Sequence, residues 1–331
     1  MTNAAQPDLA RLAAGPPAIL VAGPTASGKS ALALALADRL GGVVINADSM
    51  QVYRELRIIT ARPTEADLAR APHALYGVRP AAEAGTAAWW RGAALAEMAA
   101  ARAAGRVPIL CGGTGLYFAA LTEGLATIPA VPEAARAEAR RLLAEEGPAA
   151  LHARLAKLDP ETAATLRPSD SQRLARAWEV ATGTGQGLRA WLRAGGTGPA
   201  PWDFAAVLLD PPRDALRSAI AARWQAMLEA GALEEVKALG ALGLDPALPA
   251  MRAHGVPELL AHLAGQASLE AASARAILNT GQYTKRQATW FRHHTLAAPE
   301  HARILRARWA DFTQDSESLL DYFAVFVETR R

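Results

Sequence analysis

Cysteine is all but missing from this chain of 331 residues: Cys111 is the only one. A single thiol excludes a disulfide framework and any zinc site built from several cysteines of the chain. It suits a reducing compartment, and a cytoplasmic location is the expectation. Lysine is scarce. Lys29, Lys157, Lys237 and Lys285 are the four, and arginine supplies the other 31 of the 35 basic residues. A composition rich in alanine and arginine follows from GC-rich coding as readily as from function, so arginine excess alone names no partner. Charge of one sign is not in surplus either. The 35 basic against 32 acidic residues leave a net +3, too little to establish a nucleic-acid partner. Long apolar runs are lacking, because Arg or Glu interrupts the Ala-rich stretches every few residues, and nothing reads as a membrane span. Met1–Arg11 shows no basic segment followed by an apolar one, so no signal peptide is expected. What the chain has in quantity is apolar: 51% hydrophobic against 20% charged residues allows a sizeable core and argues against global disorder. The length suits two domains, or one core with an inserted lobe.

Periodicity supplies the organisation. Residues 17–22, Pro-Ala-Ile-Leu-Val-Ala, form a short apolar run ending in a Gly-rich turn and read as a buried strand. Ala31–Leu40 is built of strong helix formers and stops at Gly41-Gly42. Gly42–Ala47 reads as a second strand, Thr86–Ala104 as a helix, and Val107–Cys111 as a third strand ending at Gly112-Gly113-Thr114-Gly115. Strand and helix in alternation predict a parallel sheet with helices on both faces. From about Pro129 the pattern turns helical, with Pro132–Glu146 and Asp170–Ala181 rich in Arg and Glu, and no strand signal returns until Ala205–Leu209. Pro212–Leu239 reads as an amphipathic helix broken near Gly231, Ser268–Arg292 as another, and Arg303–Arg308 as a strand followed by a polar tail. The expectation is an α/β core with a parallel sheet of the P-loop NTPase type, flanked by helices and carrying an inserted all-helical lobe. The segments are 1–124 and 204–295 for the core, 125–203 for the lobe, and 296–331 for a C-terminal strand and tail.

One motif carries chemistry by itself. Gly23-Pro24-Thr25-Ala26-Ser27-Gly28-Lys29-Ser30 is G-x-x-x-x-G-K-S placed after a strand and before a helix. Glycines let the backbone curl around an anion, the helix N-terminus adds partial positive charge, Lys29 adds a full one, and Ser30 can hold Mg²⁺. The motif specifies a diphosphate or polyphosphate ligand without specifying ATP hydrolysis. In an open parallel sheet ligands bind beyond the carboxyl ends of the strands. Asp48, just past the second strand, therefore falls beside this loop as a Mg²⁺ ligand, a general base or a helix N-cap.

The residues around Asp48 resemble a known family. Gly23–Ser30, then Asp48-Ser49-Met50-Gln51-Val52-Tyr53-Arg54, then Thr60-Ala61-Arg62-Pro63-Thr64 are similar to the tRNA dimethylallyltransferases, also called tRNA isopentenyltransferases. The similarity continues at Pro72-His73, at Gly112–Tyr117, at Asp170–Val180 with Thr182-Gly183, at Arg223 with Met227-Leu228, and at Lys285–Arg292. A phosphate loop alone is generic; these blocks in this order, over about residues 19–292, are specific. The resemblance implies transfer of a dimethylallyl group from dimethylallyl diphosphate to N6 of adenosine 37 in tRNA, beside the anticodon. The loop would hold diphosphate, Arg223 and Lys29 would neutralise the leaving group, and Asp48 would take the proton from the amine. The target base must leave its stack to be reached.

The resemblance also implies tRNA contacts at Asp48, Ser49, Met50 and Gln51, at Thr114, and at Arg136. It adds Gln172, Arg173, Leu174, Ala175 and Arg176 on the lobe, then Arg252, and then Lys285, Arg286, Gln287, Trp290 and Arg292. Arg173 and Arg176 share one helix face, suited either to phosphate contacts or to solvent. Lys285–Arg292 interleaves cations with Trp290 and Phe291, so it reads as a nucleic-acid grip or as a helix with its aromatics turned inward. The chain departs from the family pattern at Ile59 (usually Gly), Arg62 (usually Lys), Ala87–Trp90 (which lacks a Tyr-Ser pair) and Met251–Glu258, where Val256-Pro257 stand for Tyr and a cation. His73, His254, His293 and His294 have no spacing that makes a metal site. Three rivals remain at this stage: a P-loop kinase of a small metabolite, an isopentenyltransferase of free adenine nucleotides, and a non-catalytic RNA-binding module. The default expectation for assembly is a monomer, with no membrane.

Overall fold

A computed structural model describes residues 15–311 and 316–330; the Met1–Arg11 stretch read for a leader lies outside them. The chain folds as two compact units. The first runs to Thr122 and resumes at Ala200; the second is Glu123–Pro199.

The first unit is built on one sheet. Its strands are β1 (Pro17–Ala22), β2 (Gly42–Asn46), β3 (His73–Ala74), β4 (Val107–Gly112), β5 (Asp203–Leu209) and β6 (Ala302–Leu305), in the order β3-β2-β4-β1-β5-β6. Every pairing is parallel, with Ile19 opposite both Ile109 and Ala205. The continuous apolar runs of the sequence are explained by this arrangement, since a parallel sheet is covered on both faces. Alternate residues of β1 divide between two cores: Ala18, Leu20 and Ala22 on one face, Ile19 and Val21 on the other.

The helices of this unit are α1 (Lys29–Leu40), α2 (Glu65–Arg70), α3 (Ala87–Ala103), α4 (Gly115–Thr122), α9 (Arg213–Glu229), α10 (Ala232–Gly240), α11 (Val256–Leu263), α12 (Leu269–Arg292) and α13 (Ser316–Glu328). Their ends follow local chemistry. The Thr86 hydroxyl accepts from Trp89 N at the start of α3, and Ser268 does the same from Ala271 N for α12. Gly231, at φ 97°, separates α9 from α10 where the sequence predicts a break. β3 has only two residues, and α2, α4 and α11 are short, so none gives a readable period.

The C-terminal tail is a correction. Beyond β6 the sequence reads as polar, yet Leu319, Leu320, Phe323, Phe326 and Val327 form the buried stripe of α13. That spacing is helical, and the charged and polar residues that flank the stripe, Glu317, Glu328 and Arg330 among them, are what lent the segment its polar look. The stripe joins the core that also holds Ile19, Leu32 and Leu36.

The second unit contains α5 (Glu133–Leu158), α6 (Pro160–Ala163), α7 (Ser171–Thr184) and α8 (Leu188–Arg193). The helix expected to stop at Glu146 continues past a kink at Gly147, φ 79°, followed by Pro148. Leu142, Leu151, Leu155, Leu174 and Ala177 form the core of this unit. Asp159, 7% exposed, ties it together by accepting from Thr162 N at 3.1 Å and Leu188 N at 2.9 Å.

The buried ring of Phe323 makes the tail integral to the first unit. Phe323→Ala is expected to destabilise that unit by about 3–5 kcal/mol, read as a lowered urea midpoint. A shift of under about 1 kcal/mol would place α13 off the sheet.

Candidate active site

The carboxyl ends of the parallel strands lie at one edge of the sheet, and the motif residues gather there. The phosphate loop leaves β1 at Ala22 and enters α1 at Lys29. The first N–H groups of α1 have no intrahelical acceptor and carry the positive end of the helix dipole. Ala26 sits at φ 66°, a left-handed conformation that costs a residue with a Cβ roughly 1–2 kcal/mol. The Ser27 hydroxyl is fully buried with no hydrogen-bond partner among the described residues, as expected of a cradle whose ligand supplies one. The Lys29 ammonium reaches the Pro24 carbonyl at 3.3 Å. Burial pushes its pKa down, and the charge of Asp48 pulls it partly back. Cys111, beside it, has its thiol pushed up to about 12 by burial, so it is no nucleophile.

Asp48 is held by the end of β2. The buried Asn46 side chain accepts from Asp48 N at 2.8 Å and donates to the carbonyls of Asp48 (3.0 Å) and Leu75 (3.1 Å). The indole N–H of Trp90 donates to Asn46 O at 2.8 Å. One carboxylate oxygen of Asp48 accepts from Met50 N at 2.9 Å, which makes Asp48 the cap of a tight turn and not of a helix. Thr114, on the loop after β4, accepts from Ser49 N at 2.9 Å and donates to Ser49 Oγ at 3.2 Å. The Asp48 charge is felt by Lys29, Arg223, Tyr283 and His254.

Arg223 comes from α9 and donates to Thr60 O at 3.3 Å, while its Nε is buried without a partner among the described residues. Burial lowers its pKa and Asp48 opposes that. The turn that receives it is fixed by Glu235, whose carboxylate accepts from the N–H groups of Arg57, Ile58 and Ile59 at 2.8–3.0 Å. Gln51 adds Nε2 donations to Thr60 O and Ala61 O at 2.8 and 3.0 Å.

Helix α12 closes the inner side. Gln287 is 4% exposed; its Oε1 accepts from Thr25 N at 2.9 Å and its Nε2 donates to Gly113 O at 2.9 Å. It links the phosphate loop to the loop that carries Thr114. The Trp290 ring stacks on His294 at 3.8 Å and lies so close to Gly115 that a Cβ there would stand 2.2 Å from it. Arg292 pairs with Asp210, just past β5, at 3.2 and 3.1 Å.

The sequence that places a phosphate loop, a carboxylate and two buried cations at one sheet edge also matches known families. The family described as IPP transferase matches residues 51–294, and isopentenyl transferase matches residues 17–84. The chain belongs to the IPP transferase family. It is 61% identical over 320 residues to a protein of Acidiphilium cryptum named tRNA dimethylallyltransferase, covering 96% of this chain and 97% of that one. Its fold is similar to that of the tRNA isopentenylpyrophosphate transferase of Bacillus halodurans, with TM-score 0.67, 31% identity, and coverage of 96% and 98% of the two chains. It is also similar to a eukaryotic dimethylallyltransferase acting on tRNA, with TM-score 0.78, 25% identity, and coverage of 96% and 80%.

Seen as an IPP transferase, the chain brings Lys29, Asp48, Thr114 and Gln287 of the sequence reading into one neighbourhood. Ser49, Met50 and Gln51 follow Asp48 on the same turn. Arg252, Lys285 and Arg286 are exposed, and Arg286 lies 5.6 Å from the Tyr283 ring centre. In the second unit Gln172, Arg173 and Arg176 are exposed; Arg173 pairs with Asp170 at 3.6 Å and Arg176 with Glu179 at 3.3 Å. Arg136 lies 3.9 Å from Glu133. Leu174 is fully buried in the core of its unit. Gln287 spends its amide on bonds to the chain itself.

Two departures from the family pattern are accommodated. Pro257 lies in the first turn of α11, where its missing N–H is not needed, and Glu258 accepts from Gly255 N at 3.0 Å. Arg62 donates to the carbonyls of Tyr53 and Arg54 at 3.1 Å. Sequence reasoning missed Glu235, Tyr283 and Tyr117. Tyr117 is 3% exposed with an unpartnered hydroxyl and stacks on Trp90 at 4.3 Å. Gly-Leu-Tyr after the Gly-rich loop was the available signal for Tyr117; Glu235 has none, since the three N–H donors it accepts from lie about 180 residues away.

Gln287→Leu roughly keeps the volume and deletes the side-chain bonds to both loops. A lost buried hydrogen bond of about 1–3 kcal/mol should weaken inorganic diphosphate binding roughly tenfold in calorimetry, with RNA affinity within twofold. Unchanged diphosphate affinity with weakened RNA binding would restore Gln287 to the RNA-contacting set.

Proposed function

We propose that this IPP transferase moves a dimethylallyl group from dimethylallyl diphosphate to N6 of adenosine 37 in tRNA and releases diphosphate. The observation that carries the reading is the placement of Asp48 at the mouth of the phosphate loop, with its charge acting on both Lys29 and Arg223. The N6–C bond forms as the bond from carbon to the diphosphate oxygen breaks, and the N6 proton passes to the free oxygen of Asp48. Loop amides, the Ser27 hydroxyl, Lys29 and Arg223 bind the diphosphate and stabilise its growing charge. Among the described residues no group of three His, Cys, Asp or Glu can hold a metal alone. The Ser30 hydroxyl is a hard oxygen donor that would fit Mg²⁺ beside the diphosphate. When bound there, Mg²⁺ neutralises the leaving group.

The acceptor tRNA is held in this reading by charge and stacking. Lys285 and Arg286 on α12 are exposed beside Tyr283 and Trp290, and Arg173 and Arg176 offer phosphate contacts on α7. No helix among the described residues is long and apolar enough to cross a membrane. A cytoplasmic location completes the reading, since that is where such a tRNA is found.

Asp48→Asn keeps the turn, because Asn caps about as well as Asp, and removes the base. We expect kcat to fall by roughly 10²–10⁴-fold with tRNA affinity within a few-fold, measured by single-turnover transfer and filter binding. Near-normal turnover would remove Asp48 from proton transfer; recovery at raised Mg²⁺ would make it a metal ligand.

The double change Arg173→Ala and Arg176→Ala should weaken tRNA binding and flatten its salt dependence by about one to two phosphate contacts. Affinity for dimethylallyl diphosphate should stay within twofold. Equal loss of both affinities would make these arginines structural.

A further inference from the structure

Two residues outside the proposed machinery hold the phosphate loop from its outer side. After β6 the chain turns back across the loop. Arg308 Nε donates to Ala26 O at 3.0 Å, and Trp309 N donates to Ser27 O at 3.0 Å. Gly28, at φ 89°, lies against the Trp309 backbone: a Cβ there would stand 2.9 Å from Trp309 Cβ and 3.0 Å from its N. The turn at 306–311 thus engages three successive residues of the loop.

Peptide planarity gives these contacts a directional consequence. In a trans peptide the C=O of one residue and the N–H of the next point in opposite directions. With the Ser27 carbonyl bound outside, the Gly28 N–H faces the concave side. With the Ala26 carbonyl bound outside, the Ser27 N–H stays turned toward Pro24 O, at 3.3 Å. Ala26 is also the residue that holds a left-handed conformation without being glycine, so its conformation needs support from its surroundings. The charge of Arg308 is partly offset by Asp311, 3.8 Å from its NH1, whereas its Nε bond is short and direct.

We propose that Arg308 and Trp309 are positioning residues for the diphosphate: they fix the loop in its anion-binding form before substrate arrives. The proposal rests on the dimethylallyl transfer reading only for the identity of the ester. The hold on inorganic diphosphate is independent of it.

The test is calorimetric titration of the full chain with inorganic diphosphate in magnesium buffer. Arg308→Ala should raise Kd roughly tenfold, and in transfer assays should raise KM for dimethylallyl diphosphate with kcat within about twofold. Arg308→Gln places an amide N–H where Nε stood and removes the charge; it should restore affinity to within about twofold of the parent. Trp309→Pro deletes the second donor at the start of a 3₁₀ turn, where proline is tolerated, and should weaken binding similarly. Arg308→Ala within twofold of the parent overturns the proposal, as does Arg308→Gln no better than Arg308→Ala, which would assign the effect to charge. A parent chain that does not bind diphosphate also overturns it. A parent that binds, with variants that weaken as stated but no transfer to tRNA, leaves the positioning role standing and defeats the transfer reading.

Discussion

Two buried cations face a single carboxylate at the carboxyl edge of the sheet, and that imbalance organises the site. Lys29 and Arg223 both feel burial, which disfavours their charged forms, and the charge of Asp48 opposes it for both. Neither cation forms an ion pair among the described residues; each instead rests on a backbone carbonyl, Pro24 for Lys29 and Thr60 for Arg223. A dianionic or trianionic diphosphate would complete this charge set. Desolvated cations interact more strongly with such a ligand than solvated ones. The same low-dielectric setting keeps Cys111 a thiol.

The rest of the first unit serves to keep these groups in place. Asn46 and Trp90 aim the end of β2, Glu235 and Gln51 set the 57–61 turn that receives Arg223, and Gln287 couples the two glycine-rich loops. These are buried or half-buried polar groups with satisfied bonds, the kind that specify one geometry because their alternatives leave unpaired donors. Orientation of this sort supplies much of the rate in a transfer between two bound partners.

The strands β1, β2, β4 and β5 were legible because a parallel sheet buried on both faces demands unbroken apolar runs, and β1 and β5 have them. The phosphate loop was legible because its function needs fixed residue types at fixed spacing. β3 escaped notice because two residues carry no period, and α13 because its short apolar stripe sits between the polar stretches that begin and end the tail. The internal bonds of Gln287 were not legible for a related reason. A motif shows that a residue matters, and only the packing of α12 against both loops shows that its amide is already committed. Glu235 and Arg308 lie about 180 and 280 residues from the groups they hold, beyond the reach of any local pattern.

The most direct test is chemical analysis of the product. Purified chain is incubated with unmodified tRNA, Mg²⁺ and labelled dimethylallyl diphosphate, with no ATP, and the tRNA is digested to nucleosides. The account predicts label in N6-dimethylallyladenosine, at position 37 and nowhere else, in stoichiometry with diphosphate released. A requirement for ATP, or label on free adenine nucleotides and none on tRNA, would contradict it.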